Sequence, residues 1–346
     1  MPDATYGYVR SLSSADLREV SLPILMMNAF HLMQKPGSTV INTLGGLHRM
    51  AAWSGLIMTD SGGFQAYSLI RQNAKFGSLG DKGIIFYPEA SSRKLLLTPE
   101  KSIQLQMSYG SDILVCLDDC THVNASRAEQ EASVTRTLAW AARAKSSYLA
   151  QLRSRKWSEE ERPLIFAVIQ GGGELDLRRR CAEGLLEIGF DGFGFGGWPL
   201  DEDSRLLTDI LEYTRSLIPR EFPIHALGIG HPAGIAASYR LGYEMFDCAL
   251  PTRDARHGRL FTWSESDPIL SADGDWLKFR YINSEENFRD TGPISPDCDC
   301  ECCRDCAMAY LFHLYRMRDP GYMRLATKHN LRFMTRLIER LRAQNA

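Results

Sequence analysis

The stretch from Met245 to Arg253, MFDCALPTR, puts a carboxylate at the end of an apolar run, with a proline four residues beyond it. This reads as a short buried strand ending in Asp247 and then a rigid loop, because Pro251 has no backbone donor and restricts the residue before it. Arg253 and Arg256 follow, in a loop punctuated by Gly258. A carboxylate at a strand end can attack an electrophilic carbon, and two guanidinium groups beside it can hold substrate phosphates. Taken alone, the stretch better suits an Asp that caps a turn, followed by surface arginines, because most strand-end Asp residues are turn residues. The weight shifts because other apolar runs also end in polar groups. Asp60 follows Gly55–Met58 and Thr59, Asp118 follows Ile113–Leu117, Gln170 follows Leu164–Ile169, and Gly196-Gly197 follow Gly192–Phe195.

Eight short apolar segments would carry these groups: Tyr6–Val9, Leu22–Met27, Gly55–Met58, Ile113–Leu117, Leu164–Ile169, Gly192–Phe195, Ile224–Leu227 and Tyr243–Phe246. Several are followed by stretches with apolar residues at helical spacing: Ser126–Leu152, Leu175–Ile188, Ser204–Leu217 and Pro232–Leu241. Ser126 to Glu129 forms a capping-box pattern at the start of the first of these. Strands alternating with helices predict parallel βα units, and eight of them predict an α/β fold closed as a (β/α)8 TIM barrel. A doubly wound sheet would carry a glycine-rich phosphate loop after its first strand, and nothing after Val9 has that pattern. In a barrel the C-terminal strand ends share one face, so Asp60, Asp118, Gln170, Gly197 and Asp247 would converge on one mouth.

The catalytic barrel is expected over residues 1–264, with a hairpin insertion at about 65–100 formed by strands Gly83–Tyr87 and Lys94–Leu97. Thr98-Pro99-Glu100 then opens a helix. Residues 265–346 are expected to form a C-terminal zinc-binding subdomain with closing helices. Five of the nine cysteines lie between Cys298 and Cys306. In a large chain without secretory features, such a cluster suggests metal binding over disulfides. Cys298, Cys300 and Cys303 with His329 would give a tetrahedral structural zinc site with no open position. Cys300, Cys303 and Cys306 form a rival ligand set, and His313 rivals His329. Arg332, Arg336 and Arg340 recur every four residues on the closing helix and stack on one face, either solvated or holding phosphates.

The chain has 346 residues, 44% hydrophobic and 24% charged, with a net charge of −2. A nucleic-acid partner would therefore be held by a local basic face and not by overall charge. The N-terminus has no signal-peptide pattern and the apolar runs are too short to span a bilayer, so no membrane association and a cytoplasmic location are expected.

The sequence resembles the tRNA-guanine transglycosylases, also called queuine tRNA-ribosyltransferases, over nearly its whole length. The resemblance is carried by NAFHL at Asn28–Leu32 with Pro36-Gly37, TDSGGFQ at Thr59–Gln65 and LTPE at Leu97–Glu100. It continues through GSDI at Gly110–Ile113, LDDC at Leu117–Cys120, Gln170-Gly171, Gly196-Gly197, Met245–Arg253, the cysteine loop and Lys328-His329-Asn330. The resemblance implies a (β/α)8 barrel with a zinc-binding insertion, and base exchange by double displacement on a tRNA anticodon loop. By it, Asp247 is the nucleophile on the ribose C1′ of the wobble guanine and Asp60 the general acid/base. Asp118 reads the guanine N1 and exocyclic amine, Gln170 and Gly197 read O6, and Phe64 stacks on the base. Ser61 and Cys120, inside the same motifs, are placed with the base-binding group. Cys298, Cys300, Cys303 and His329 match the zinc ligands. The entering base would be a 7-deazaguanine, and a homodimer is implied.

The chemistry is sensible from first principles as well. Cleavage through an oxocarbenium-like state calls for a carboxylate and a proton donor flanking the bond. A base with N1 and N2 donors calls for an acceptor such as Asp118. Two departures from the family pattern stand out. The N-terminal hairpin that usually precedes the first barrel strand is not found, and Trp198-Pro199 follow Gly197 where small aliphatic residues are usual. The latter would reshape the pocket for the entering base. Two other readings are a paralogue acting on DNA guanine and a non-catalytic partner subunit. The presence of both Asp60 and Asp247 speaks against the second.

Overall fold

The computed structural model describes residues 1–87, 95–122, 125–264 and 275–345. Strands β1 (Ile24–Asn28) and β2 (Leu56–Asp60) open the barrel. A three-stranded antiparallel insertion follows: β3 (Gly77–Gly80), β4 (Gly83–Phe86) and β5 (Leu95–Leu97). The barrel resumes with β6 (Ile113–Val115), β7 (Leu164–Ile169), β8 (Gly192–Phe195), β9 (Ile224–Leu227) and β10 (Met245–Asp247). An antiparallel pair, β11 (Arg259–Trp263) and β12 (Leu277–Tyr281), leads into the cysteine region. The long helices Arg127–Arg155, Leu175–Ile188 and Pro320–Asn345 belong to the outer layer.

The main sheet has seven parallel strands in the order β1-β2-β6-β7-β8-β9-β10. Residues 1–4 bridge its two free edges. Pro2 pairs in parallel with Cys248 and Asp3 with Met26, and the Ala4 amide donates to the Met26 carbonyl at 2.7 Å. The eighth stave is therefore this short segment and not the expected Tyr6–Val9, which forms turns. The alternation in Tyr6–Val9 misled because Tyr6 and Tyr8 are exposed, and Gly7 at φ +86° breaks extended geometry. The insertion carries one strand more than expected, because Gly77-Ser78-Leu79-Gly80 has none of the β-branched or aromatic residues that mark a strand. Lys94, the expected start of its last strand, lies outside the described residues.

Inside the barrel, Met26, Met58, Ile113, Val115, Phe166 and Val168 fill the space between the strands. The larger apolar layer lies between strands and helices, where Val134, Tyr148, Leu177, Leu185, Ile235 and Phe246 are buried. The pairing of β2 with β6 is short, limited to Met58–Ile113 and Thr59–Leu114. The buried Gln106 side chain extends it by donating to the Val115 carbonyl and accepting from the Val115 amide, both at 2.9 Å. A side-chain amide thus acts as a strand partner and fixes the segment that leads to Asp118.

The closing helix Pro320–Asn345 has two surroundings. Phe333, Leu337 and Leu341 join the barrel core, whereas Tyr322, Leu325 and Ala326 pack with the cysteine region around Leu260, Ile282 and Met308. Its arginine row is neither solvated nor free for phosphates. Arg332 pairs with Asp299 at 2.7 Å and with Glu339 at 2.8 Å. Arg336 donates to the Asp297 carbonyl at 2.8 Å, and Arg340 lies over the Trp263 ring at 4.0 Å. The row binds the cysteine loop to the helix, a role invisible without knowing that Asp297 and Asp299 lie opposite.

Candidate active site and metal centre

Asp60 ends β2, and the chain then turns sharply into the helix Gly63–Gln72. Gly62 makes the turn at φ +78°, where an added Cβ would lie 2.8 Å from the Phe30 Cβ. The carboxylate is held on both oxygens. Oδ1 accepts from the Ala29 and Gly62 amides at 3.1 and 3.0 Å, and Oδ2 accepts from Asn28 Nδ2 at 2.5 Å. Burial pushes its pKa up to about 7. The two backbone donors oppose this, and the nearby negative charges of Asp247 and Asp3 add to it. Asn28 is itself oriented, since its side-chain oxygen accepts from the His31 amide at 2.9 Å.

Asp118 follows β6 in a loop fixed by its neighbours. Asp119 forms an ion pair with Arg136, its amide donates to Thr137 Oγ1 at 3.0 Å, and its carbonyl accepts from Ser133 Oγ at 2.5 Å. The loop is thereby tied to the helix Arg127–Arg155, leaving Asp118 to face Gln170. Gln170 Nε2 donates to Asp118 Oδ2 at 2.6 Å. Burial pushes the Asp118 pKa up to about 6, with the Gln170 hydrogen bond opposing and the Asp119 charge adding. Gln170 Oε1 is buried and has no partner among the described residues. A substituent at Gly196 would lie 2.5 Å from Gln170 Nε2, so only glycine lets that backbone pass the amide.

Arg178 underlies this corner and carries no signal in the sequence beyond its position on an amphipathic helix. It is fully buried, stacks on Phe195 at 4.2 Å, and donates to the carbonyls of Gly172 at 2.7 Å and Gly196 at 3.1 Å. It thus orients the Gly196-Gly197 peptide against Gln170. Cys120 is buried in the same corner, and burial pushes its thiol pKa upward, so it stays protonated. The Ser61 hydroxyl accepts from the Gly63 amide at 3.2 Å and thereby belongs to the turn after Asp60.

Asp247 ends β10 and is 22% exposed. Its Oδ1 accepts from His225 Nε2 at 2.7 Å and from the Gly228 amide at 3.2 Å. Burial alone would raise its pKa, but the hydrogen bond from His225, with the Gly228 donor and the nearby amino group of Met1, brings it below the ordinary value. The expected loop after Asp247 is instead a short helix, Leu250–Arg256, with Pro251 in its first turn, a position where its missing donor costs nothing. Arg253 is exposed, and burial with the nearby Arg10 lowers the Arg256 pKa. Arg10, Arg253 and Arg256 therefore form a basic cluster beside the nucleophile candidate.

An aromatic rim completes the mouth. Phe64 and Trp198 are each 44% exposed, with rings edge-on at 6.1 Å, and His122 meets Trp198 at 6.0 Å. Among the described residues no helix is long and apolar enough to cross a membrane.

Cys298, Cys300, Cys303 and His329 are all buried, with their candidate ligand atoms within 4.8 Å of one another. His329 Nδ1 lies 3.2 Å from Cys303 Sγ and 3.8 Å from Cys300 Sγ. Its Nε2 is 2.7 Å from the Phe261 carbonyl, so Nε2 carries the proton and Nδ1 presents a lone pair to the cluster. Cys306 and His313, the rivals, lie outside the group. Three thiols and an oriented imidazole fit a four-coordinate metal ion with no position left for substrate.

The molecule is thus a parallel βα barrel with carboxylates at its strand ends, a basic cluster beside one of them and a separate Cys3His centre. Residues 1–344 match the family model of queuine tRNA-ribosyltransferase. Similar proteins include the queuine tRNA-ribosyltransferases of Psychrobacter sp. (36% identity over 99% of this chain and 84% of that protein) and Solidesulfovibrio magneticus (37%, 99% and 85%). That of Lysinibacillus sphaericus is 36% identical over 99% of this chain and 83% of its own. The chain belongs to the queuine tRNA-ribosyltransferase family, whose members are tRNA-guanine pentosyltransferases.

Proposed function

We propose that this chain exchanges the wobble guanine of a tRNA anticodon loop for a 7-deazaguanine, through a covalent ribosyl–Asp247 intermediate. The observation that carries this reading is the pairing of two strand-end carboxylates with opposite ionisation. Asp247 is held below the ordinary carboxylate range, whereas Asp60 is pushed up to about 7. One is ready to attack as an anion and the other holds a proton to give.

In this reading the wobble nucleotide is unstacked from the loop, which costs less than opening a duplex. Arg253 and Arg256 hold its flanking phosphates. Phe64 stacks on the base, Asp118 accepts from N1–H and the exocyclic amine, and Gln170 and the Gly197 amide donate to O6. Attack by Asp247 forms a C1′–oxygen bond while the C1′–N9 bond breaks, and the leaving guanine takes its proton from Asp60. The entering base then gives a proton to Asp60 and displaces Asp247 from C1′. The ester keeps the tRNA attached between the two steps.

We further propose that the Cys298, Cys300, Cys303 and His329 centre holds a structural zinc ion, which cross-links the cysteine loop to the closing helix. The same reading has the enzyme act as a homodimer in the cytoplasm. The test is incorporation of labelled guanine into tRNA and, in parallel, into single-stranded and duplex DNA, by wild type and Asp247→Ala. Incorporation into tRNA alone, lost in the variant, is expected. Incorporation into DNA alone would overturn the tRNA assignment, and silence on every substrate would overturn the enzymatic one.

A further inference from the structure

Resting on the reading of Asp247 as nucleophile, we infer that His225 is a positioning residue. Its neutral imidazole clamps Oδ1 of Asp247 and so reserves Oδ2 for attack on the ribose carbon.

The geometry is one-sided. Among the described residues, both donors to the Asp247 carboxylate, His225 Nε2 at 2.7 Å and the Gly228 amide at 3.2 Å, fall on Oδ1. A carboxylate pinned at one oxygen cannot rotate freely, and its second oxygen keeps its lone pairs for substrate. The two donors come from one strand and its end. His225 lies on β9 opposite Met245, and Leu227 opposite Asp247, so the imidazole reaches Asp247 diagonally from the neighbouring strand.

The protonation state of His225 follows from its other nitrogen. His225 is 1% exposed, and its Nδ1 is buried with no partner among the described residues. An imidazolium would place a second N–H there without an acceptor, at the desolvation cost of an unmade hydrogen bond. The tautomer with hydrogen on Nε2 and a bare Nδ1 avoids that cost. The groups that face Asp247 are this imidazole from β9, the Gly228 amide, the chain's amino group, Cys248 beside it, and Asp60 across the mouth on β2.

A neutral donor suits both halves of a double displacement. In the first half an Oδ2 lone pair forms the bond to C1′, the C1′–N9 electron pair leaves with guanine, and Asp60 supplies guanine's proton. Oδ1 becomes the ester carbonyl oxygen and still accepts from His225 and Gly228. In the second half the C1′–oxygen pair returns to Asp247, whose carboxylate regains the same two donors. His225 keeps its proton throughout. A full positive charge at His225 would stabilise the free carboxylate more strongly and blunt its attack. A lone histidine in an apolar strand gives no hint of this in the sequence.

The test compares His225→Phe, which removes the donor, with His225→Gln, whose amide nitrogen can reach the same place. Steady-state guanine exchange into tRNA and its pH profile are measured on the full chain. Expected for His225→Phe is a fall in kcat of about 10–100-fold, the worth of one hydrogen bond to a charged group, with KM for guanine little changed. Its acid limb also moves to higher pH, because Asp247 loses the donor that lowers its pKa. His225→Gln recovers most of the rate and the original acid limb. If His225→Phe misfolds, judged by circular dichroism, His225→Asn, too short to reach, replaces it in the same contrast. Equal loss in the Gln variant and its shortened partner, or no loss in either, overturns the clamp while wild type remains active. Absence of exchange by wild type itself overturns the functional reading, and this inference falls with it.

Discussion

Asp247 ends β10, which borders the N-terminal closing segment, Asp60 ends β2, one strand inside the other border β1, and their environments drive their ionisation in opposite directions. Asp60 meets two backbone amides and Asn28, but burial and the charge of Asp247 still bring its pKa to about 7. Asp247 has an imidazole and an amide on one oxygen and sits below the usual range despite burial. With Asp60 protonated and Asp247 ionised as the active form, the exchange rate falls on the alkaline side of about pH 7. Asp60→Asn should lose that limb together with a factor of about 10²–10⁴ in kcat. A profile of initial rates from pH 5 to 9 checks this. Retention of the alkaline limb in Asp60→Asn would assign it to another group.

The same residue makes a stability prediction. Its folded pKa lies above the ordinary 3.8, so the folded state binds the proton more tightly than the unfolded chain. The stability it contributes is fully present below about pH 4 and is lost as pH rises through 7. Asp60→Asn removes the penalty of ionising a confined carboxylate, so the variant should gain on wild type between pH 4.5 and 8. The expected gain is about 1–2 kcal/mol, discounted because the site is partly open to solvent. Urea midpoints at the two pH values measure it, and a constant difference would show that Asp60 is not strained by burial.

Asp118 can read the donor edge of guanine only as an anion. Burial brings its pKa up to about 6, so protonation below that value removes the acceptor. KM for guanine should rise below pH 6 by up to about tenfold per pH unit, with kcat less affected. Asp118→Asn should raise KM at every pH and abolish this dependence. A flat KM between pH 5 and 7.5 in wild type would remove Asp118 from base recognition.

Much of this site could be read from strand ends. Asp60, Asp118, Gln170 and Asp247 each follow an apolar run; Asp60 and Asp247 end parallel strands, Gln170 directly follows β7, and Asp118 lies in the loop after β6. What the runs conceal is how each group is held. Asn28, His225 and Arg178 act through distant or cross-strand contacts, and side-chain spacing along one element carries no information on them. The barrel's closure was hidden for a related reason. Residues 1–4 pair with both edges through backbone atoms, so they need no strand-like composition, whereas Tyr6–Val9 has that composition and forms turns. The arginine row of the closing helix was ambiguous until Asp297 and Asp299 were seen opposite it.

The metal centre makes a prediction that separates it from its rivals. Cys303 belongs to the buried group with Cys298, Cys300 and His329, whereas Cys306 does not. Cys303→Ser should lower bound metal well below one ion per chain and destabilise the protein by at least ~2 kcal/mol. Cys306→Ser should leave metal content unchanged. Metal analysis of the purified variants and their thermal midpoints decide the matter, and metal loss in Cys306→Ser alone would exchange the ligand sets.

Trp198 stands at the rim where its ring meets Phe64 edge-on at 6.1 Å and His122 at 6.0 Å. An exposed ring such as Phe64 can stack on a base only if something holds its plane, and Trp198 is the aromatic partner in contact with it at the mouth. An edge-to-face pair is worth about 0.5–1.5 kcal/mol beyond its area, which corresponds to roughly 2–10-fold in binding. Trp198→Ala should therefore raise KM for guanine by about that factor while kcat changes little. Removing the indole also opens space beside Gly197. Bases carrying a larger substituent at position 7 should lose less than guanine does, and the ratio of their kcat/KM values should shift in their favour. Competition between labelled guanine and a 7-substituted 7-deazaguanine measures that ratio in wild type and variant. An unchanged ratio together with an unchanged KM would show that Trp198 touches neither the stacked base nor the space around it.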